Sequence, residues 1–262
     1  MGHERVGYLP KTQKWRAIIK DIGSFSVSNN NTVTEVAVQT TKNVRSRFKY
    51  IEEDSGVFAA FKYIILLSYS SKLQNQQDYL SKHGIKLPKG FNIFDLTQSI
   101  QAYVLKNTTS KEYSTFAIQS MIDTVAQWTK ANQVQQSLIF DTDSSSIETW
   151  KKAANGAGFC ELSRLFFSKF TERYLKYFLE REASARLSNM YERNQFNKHL
   201  EDHISQISKH AFETSKIVQS FSAGWYNSNV KDTAPSDTKI QGFLSFAFQK
   251  LNSELLREEG FD

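Results

Sequence analysis

Three prolines and eleven glycines in 262 residues leave long stretches in which nothing interrupts a helix, and this scarcity constrains the fold most. Proline removes an amide donor and clashes with the preceding turn, and an interior glycine costs a helix about 1 kcal/mol. Pro10, Gly23, Gly56, Gly84, Pro88, Gly90, Gly156, Gly158, Gly224, Pro235 and Gly260 bracket segments of helical apolar period, where helices should end. Gly242 alone sits inside one. The chain is therefore expected to be all-α, a multi-helix, two-lobed helical bundle.

The segments follow from apolar spacing. Trp15, Ile18, Ile19 and Ile22 mark a short first helix and assign Trp15 to the core. Thr32 with Glu35 reads as a capping box opening a second helix, whose stripe is Val33, Val36, Ala37, Thr40, Val44, Phe48 and Ile51. An almost continuous apolar helix over 55–73 comes next, then a short one ending at His83 and Gly84. Asp95 with Gln98 resembles the cap of a helix carrying Leu96, Ile100 and Val104, and Ile118, Met121, Ile122, Val125 and Trp128 define another.

Residues 137–140 are the one strand-like stretch, and the polar tract 141–146 follows. They divide the chain into an N-terminal lobe (1–132), a linker (133–146) and a C-terminal lobe (147–262). In the second lobe Ser145 and Glu148 cap a short helix ending near Asn155. The run Asn155-Gly156-Ala157-Gly158 reads as a helix–helix turn. A long aromatic helix then carries Phe159, Leu162, Phe166, Phe170, Tyr174 and Tyr177. Asn189 with Glu192 caps a helix running to about Phe221, and Ile240, Phe243, Leu244, Ala247, Leu251 and Leu255 mark the last.

The lone cysteine, Cys160, permits no internal disulfide and fits a reducing, cytoplasmic setting, where it serves as a small buried apolar group. The apolar run 57–67 contains Lys62 and falls short of the roughly 20 residues a bilayer span needs, so no membrane association is expected. Phe140-Asp141-Thr142-Asp143 lacks the alternating strands that a phosphatase nucleophile loop requires. No phosphate-binding loop, Ser–His–Asp pattern or CxxC pair occurs, so no cofactor is expected.

Charge is distributed unevenly. Residues 1–50 hold nine Lys or Arg against Glu4, Asp21 and Glu35, which accounts for the entire net charge of +6. Lys42, Arg45 and Lys49 share one helical face opposite the apolar stripe, and Lys14 and Arg16 lie on the first helix. Such a ridge attracts phosphate backbones or acidic protein surfaces without reading sequence.

A second constellation lies in 194–210, where His199, His203 and His210 fall on one shoulder of a helical stripe. His199 and His203 have the i, i+4 spacing of zinc ligands. The zincin pattern needs Glu directly after the first histidine, however, and Leu200 stands there, so no metal is expected. In the same segment Arg193-Asn194, four further residues and His199 form an arginine–polar–spacer–histidine pattern. In this it resembles the HEPN superfamily of all-helical ribonucleases.

The resemblance implies metal-independent RNA cleavage at a site often completed across a homodimer. His199 would deprotonate a ribose 2′-hydroxyl or protonate the leaving oxygen, and Arg193 would stabilise charge on the phosphorane. The charge pattern instead predicts a non-catalytic subunit of a larger assembly, contacting nucleic acid or an acidic partner through its basic N-terminal helices. The ribonuclease is the alternative.

Overall fold

A computed structural model describes residues 13–25, 31–109, 113–132, 148–212, 221–231 and 233–257. Regular structure among them is helical throughout, with no strand. In chain order the helices are α1 (Gln13–Gly23), α2 (Asn31–Glu52), α3 (Ser55–Ser70), α4 (Gln76–Lys82) and α5 (Ile93–Lys106). There follow α6 (Ser114–Asn132), α7 (Gly156–Arg186), α8 (Met190–Phe212), α9 (Phe221–Asn229) and α10 (Asp237–Arg257). The strand-like stretch 137–140 and the 141–146 tract lie outside the described residues.

Short polar side chains set where these helices begin, because the first amides of a helix have no carbonyl behind them. Asp54 caps α3, its Oδ1 accepting from the Gly56 and Val57 amides at 2.9 and 3.0 Å. Asn189 caps α8 by accepting from the Glu192 amide at 2.8 Å, as expected. One expectation is corrected. Helix α5 is capped by Asn92, whose side chain accepts from Phe94 and Asp95 while Asp95 accepts back from the Asn92 amide. Asp95 is thus the closing acid of a box that starts three residues earlier than the Asp95–Gln98 reading. The run Asn155–Gly158 joins a short helical segment at 148–151 to the long helix that follows, as expected, and Asn155 also caps α7 through the Gly158 amide.

Glycines at helix starts serve close approach. A Cβ on Gly158 would lie 2.0 Å from the Lys152 carbonyl oxygen, and one on Gly56 would lie 2.7 Å from the Ser114 Cβ. These glycines therefore let two chain segments touch, which the ending role expected for them does not describe.

The core is aromatic. Phe61 on α3 stacks on Phe243 of α10 at 5.3 Å and meets Phe159, Phe166 and Phe167 of α7 at 5.3–6.0 Å. Trp225 and Tyr226 of α9 close over Phe159 at 5.8 and 4.7 Å. Each fully buried ring of this kind contributes about 1.5–3 kcal/mol through removal from water. Trp15 is buried against Phe178, as its spacing predicted, and Cys160 is buried.

One core spans the expected lobe boundary. Helix α6 lies along α7, with Arg173 ion-paired to Asp123, and α2 lies along α10. Residues that follow 133–147 are anchored in the N-terminal half. Trp128 Nε1 donates to the Thr149 carbonyl at 3.2 Å, and the Ser68 and Ser71 hydroxyls donate to the carbonyls of Ala153 and Trp150. Among the described residues the two sets of helices thus contribute to one buried cluster.

Candidate functional site

The two constellations of the sequence, the basic helices and the histidine helix, meet. Helix α1 ends at Gly23 and turns through Ser24, whose amide donates to the Lys20 carbonyl, so that Phe25 points back into the structure and is buried. Its ring meets Phe196 edge-on at 5.5 Å and His199 at 6.0 Å, both on α8. On α2, Thr34 Oγ1 lies 3.5 Å from His203 Nδ1. The junction of α1, α2 and α8 is therefore built from residues about 170 positions apart in the chain.

On α8 the apolar stripe Phe196, Leu200 and Ile204 is completely buried. At about 100° per residue, Arg193 and Asn197 flank one side of that stripe and His199 and His203 the other. Arg193 and His199 stand about 120° apart, with the buried Phe196 between them. Asn194 points to solvent. A single regular α8 thus does not bring the arginine and the histidine onto one face. Arg193 Nε and His199 Nδ1 are nevertheless both shielded from water and form no hydrogen bond with the described residues. Of His210 the side chain lies outside the described set. Among the described residues no group of three or more His, Cys, Asp or Glu is placed to hold a metal.

The basic face divides in the same way. Arg16 and Lys20, one turn apart on α1, are exposed, and so is Lys42 on α2. The side chains of Lys14, Arg45 and Lys49 lie outside the described set. Their positions on α2 place Arg45 and Lys49 with Lys42, opposite the buried Val33, Val36, Ala37, Thr40 and Ile51. Val38, on the same face as Lys42 but one turn earlier, is buried, so the start of this face is covered and Lys42 itself is exposed. Lys20 was not singled out in the sequence, although its i+4 spacing from Arg16 was a visible signal. Met190 and Tyr191 open α8 beside this junction, and they are 72% and 61% exposed.

A separate polar network ties α7 to α8. Buried Glu172 takes Lys169 and Lys176 from its own helix, and Lys169 also donates to Glu201 at 2.7 Å. The Lys169 ammonium holds the Glu201 carboxyl below the ordinary glutamate range. Burial works against the charge on Lys169, but the two carboxylates outweigh it and raise its pKa. This network was not legible in the sequence, because its partners come from separate helices.

No helix among the described residues is long and apolar enough to cross a membrane. The fold is all-α, and two helices that carry the exposed Arg16, Lys20 and Lys42 pack against a histidine-bearing helix. No family model, no curated protein and no solved structure matches this chain significantly.

Proposed function

We propose that this chain is a non-catalytic helical subunit that contacts nucleic acid or an acidic protein surface through α1 and α2. The observation that carries the reading is the exposure of Arg16, Lys20 and Lys42 within residues 1–50, the stretch whose charge balance of +6 equals the net charge of the chain. Cations on the solvent side of packed helices gain from a polyanion by releasing its counterions, and their own helices need not move. Met190, Tyr191 and Arg193 beside the junction are residue types enriched at protein interfaces, which supports membership of a larger assembly. Cys160, the one thiol, fits a cytoplasmic setting.

Equilibrium binding to a mixed-sequence DNA duplex, a single-stranded RNA and poly-L-glutamate tests the reading. The Lys42→Gln/Arg45→Gln/Lys49→Gln variant should lose affinity for whichever polyanion the wild type binds. Absence of binding to all three probes would overturn it.

One observation favours the HEPN-like reading as a second possibility. Arg193 Nε and His199 Nδ1 remain uncommitted beside a basic face, and an exposed Asn194 adjoins them. Because α8 points the two residues apart, a shared phosphate would have to be completed from a second copy. Incubation with single-stranded RNA in EDTA should then give cleavage that His199→Ala abolishes while the helical circular dichroism is retained. Uncleaved RNA, or cleavage that survives His199→Ala, rejects it.

A further inference from the structure

Helix α5 turns a face to solvent that carries no charge. At about 100° per residue, Phe94, Gln98, Gln101 and Leu105 fall within about 60° of one another. They stand opposite the buried Leu96, Ile100, Tyr103 and Val104, and all four are exposed. Phe94 is 64% and Leu105 49% exposed, and Ile93 at the start of the same helix is 40% exposed. Large apolar side chains this open are ordinary singly, but here one helix gathers three.

The order of these residues is self-complementary. Read from either end, the face runs large apolar, glutamine, glutamine, large apolar, with its midpoint between Ser99 and Ile100. A two-fold contact brings residue i against residue j of the copy, and j against i. Two α5 helices paired antiparallel about that midpoint therefore seat Phe94 on Leu105 of the copy at both ends. Between them, Gln98 and Gln101 meet the same two residues of the copy, and amide side chains both donate and accept.

Charge favours a second copy on this face. Two chains of net charge +6 repel, but the excess sits in residues 1–50, and α5 lies outside them. Asp95 in the first turn and Lys106 in the last share one edge of the helix. Antiparallel pairing sets Asp95 and Lys106 of opposite copies about 3 Å apart along the axis. It also sets the positive N-terminal end of one helix beside the negative C-terminal end of the other. The helix is about 21 Å long, so this contact covers roughly 300 Å² of each copy. Stable complexes cover about 800 Å² per partner, so the association is reversible and depends on concentration.

We propose that α5 is a homodimer surface, on which a second copy of this chain docks through its own α5 in antiparallel register. The surface is separate from the α1–α2 face, and its test does not depend on polyanion binding.

Sedimentation velocity of the full-length chain over a concentration series tests it. Wild type should shift from monomer to dimer as concentration rises. Phe94→Glu/Leu105→Glu should weaken the dimer at least about tenfold, because four carboxylates then meet in the contact. Gln98→Lys/Gln101→Lys should weaken it by about as much, and it changes only exposed glutamines to another good helix former. Cross-linking fixes the direction. Under mild oxidation, Phe94→Cys and Leu105→Cys chains should form a covalent dimer only when mixed, since each residue meets the other and not itself. Cys160 is buried and takes no part. Wild type that stays monomeric up to its solubility limit overturns the proposal and leaves the face to a different chain. A dimer that both charged variants leave intact overturns it by placing self-association elsewhere, and a Phe94→Cys chain that cross-links to itself overturns the antiparallel register.

Discussion

The interior formed by α3, α7 and α10 and the junction formed by α1, α2 and α8 are both rich in rings, yet they are finished differently. In the interior, Phe61, Phe159, Phe166, Phe167 and Phe243 surround one another, and the rings carry no polar atom to satisfy. At the junction, Phe25 and Phe196 pack against a histidine and lie near an arginine, and each of these keeps a shielded nitrogen without a hydrogen bond among the described residues. Exposed cations begin a turn or two away. The aromatic interior accounts for stability, and we propose the junction as the region of interaction.

Opening the interior should have the largest effect. Phe61→Ala removes a fully buried ring that touches four others, and should cost about 3–5 kcal/mol in urea unfolding. A loss below about 1 kcal/mol would erase the distinction between the two regions, because the aromatic interior would not be what holds the fold.

Overfilling the start of α7 comes next. Gly158→Ala sets a methyl 2.0 Å from the Lys152 carbonyl oxygen and 2.9 Å from the Ala153 Cα, so backbone must move. The expected cost is about 1–3 kcal/mol, read as a lowered urea midpoint. A neutral substitution would show that this close approach does not exist.

These two sites also mark what sequence can and cannot reveal. The period of Phe159, Leu162, Phe166, Phe170 and Tyr174 identified the buried face of α7 correctly, because a helix repeats its geometry locally. Asn189 and Glu192 marked the start of α8 for the same reason. The Asp95 cap was misplaced by three residues because Asp serves equally well as the first or last member of a capping box, and only the fold selects between them. Gly158 looked like a helix breaker because the carbonyl it must avoid belongs to a preceding turn whose path is not written in the local pattern. At the site, the basic ridge and the histidine row were each visible. Their meeting through Phe25 and Thr34 was not, since it depends on long-range packing between α1, α2 and α8.

A smaller effect should appear with pH at the edge of the junction. Glu201 has a lowered pKa through its hydrogen bond from Lys169, so its contribution to stability is present above about pH 4.5 and is lost as pH falls through the lower folded value. Glu201 is partly exposed, so the contribution is modest. Urea titrations of wild type and Glu201→Gln should differ by a constant amount at neutral pH and converge below about pH 4.5. A gap that persists into acid would assign the effect to packing.

The salt dependence of polyanion binding decides whether α1 and α2 form the interacting face. Affinity for a DNA duplex should be measured across a series of salt concentrations for wild type and for Lys42→Gln/Arg45→Gln/Lys49→Gln. For wild type, log affinity should fall steeply with log salt. The variant should bind more weakly, with a slope shallower by about one unit for each phosphate it no longer neutralises, while its stability in urea changes by no more than about 0.5 kcal/mol. A variant with the affinity and slope of wild type would contradict the assignment of interaction to the α1–α2 face.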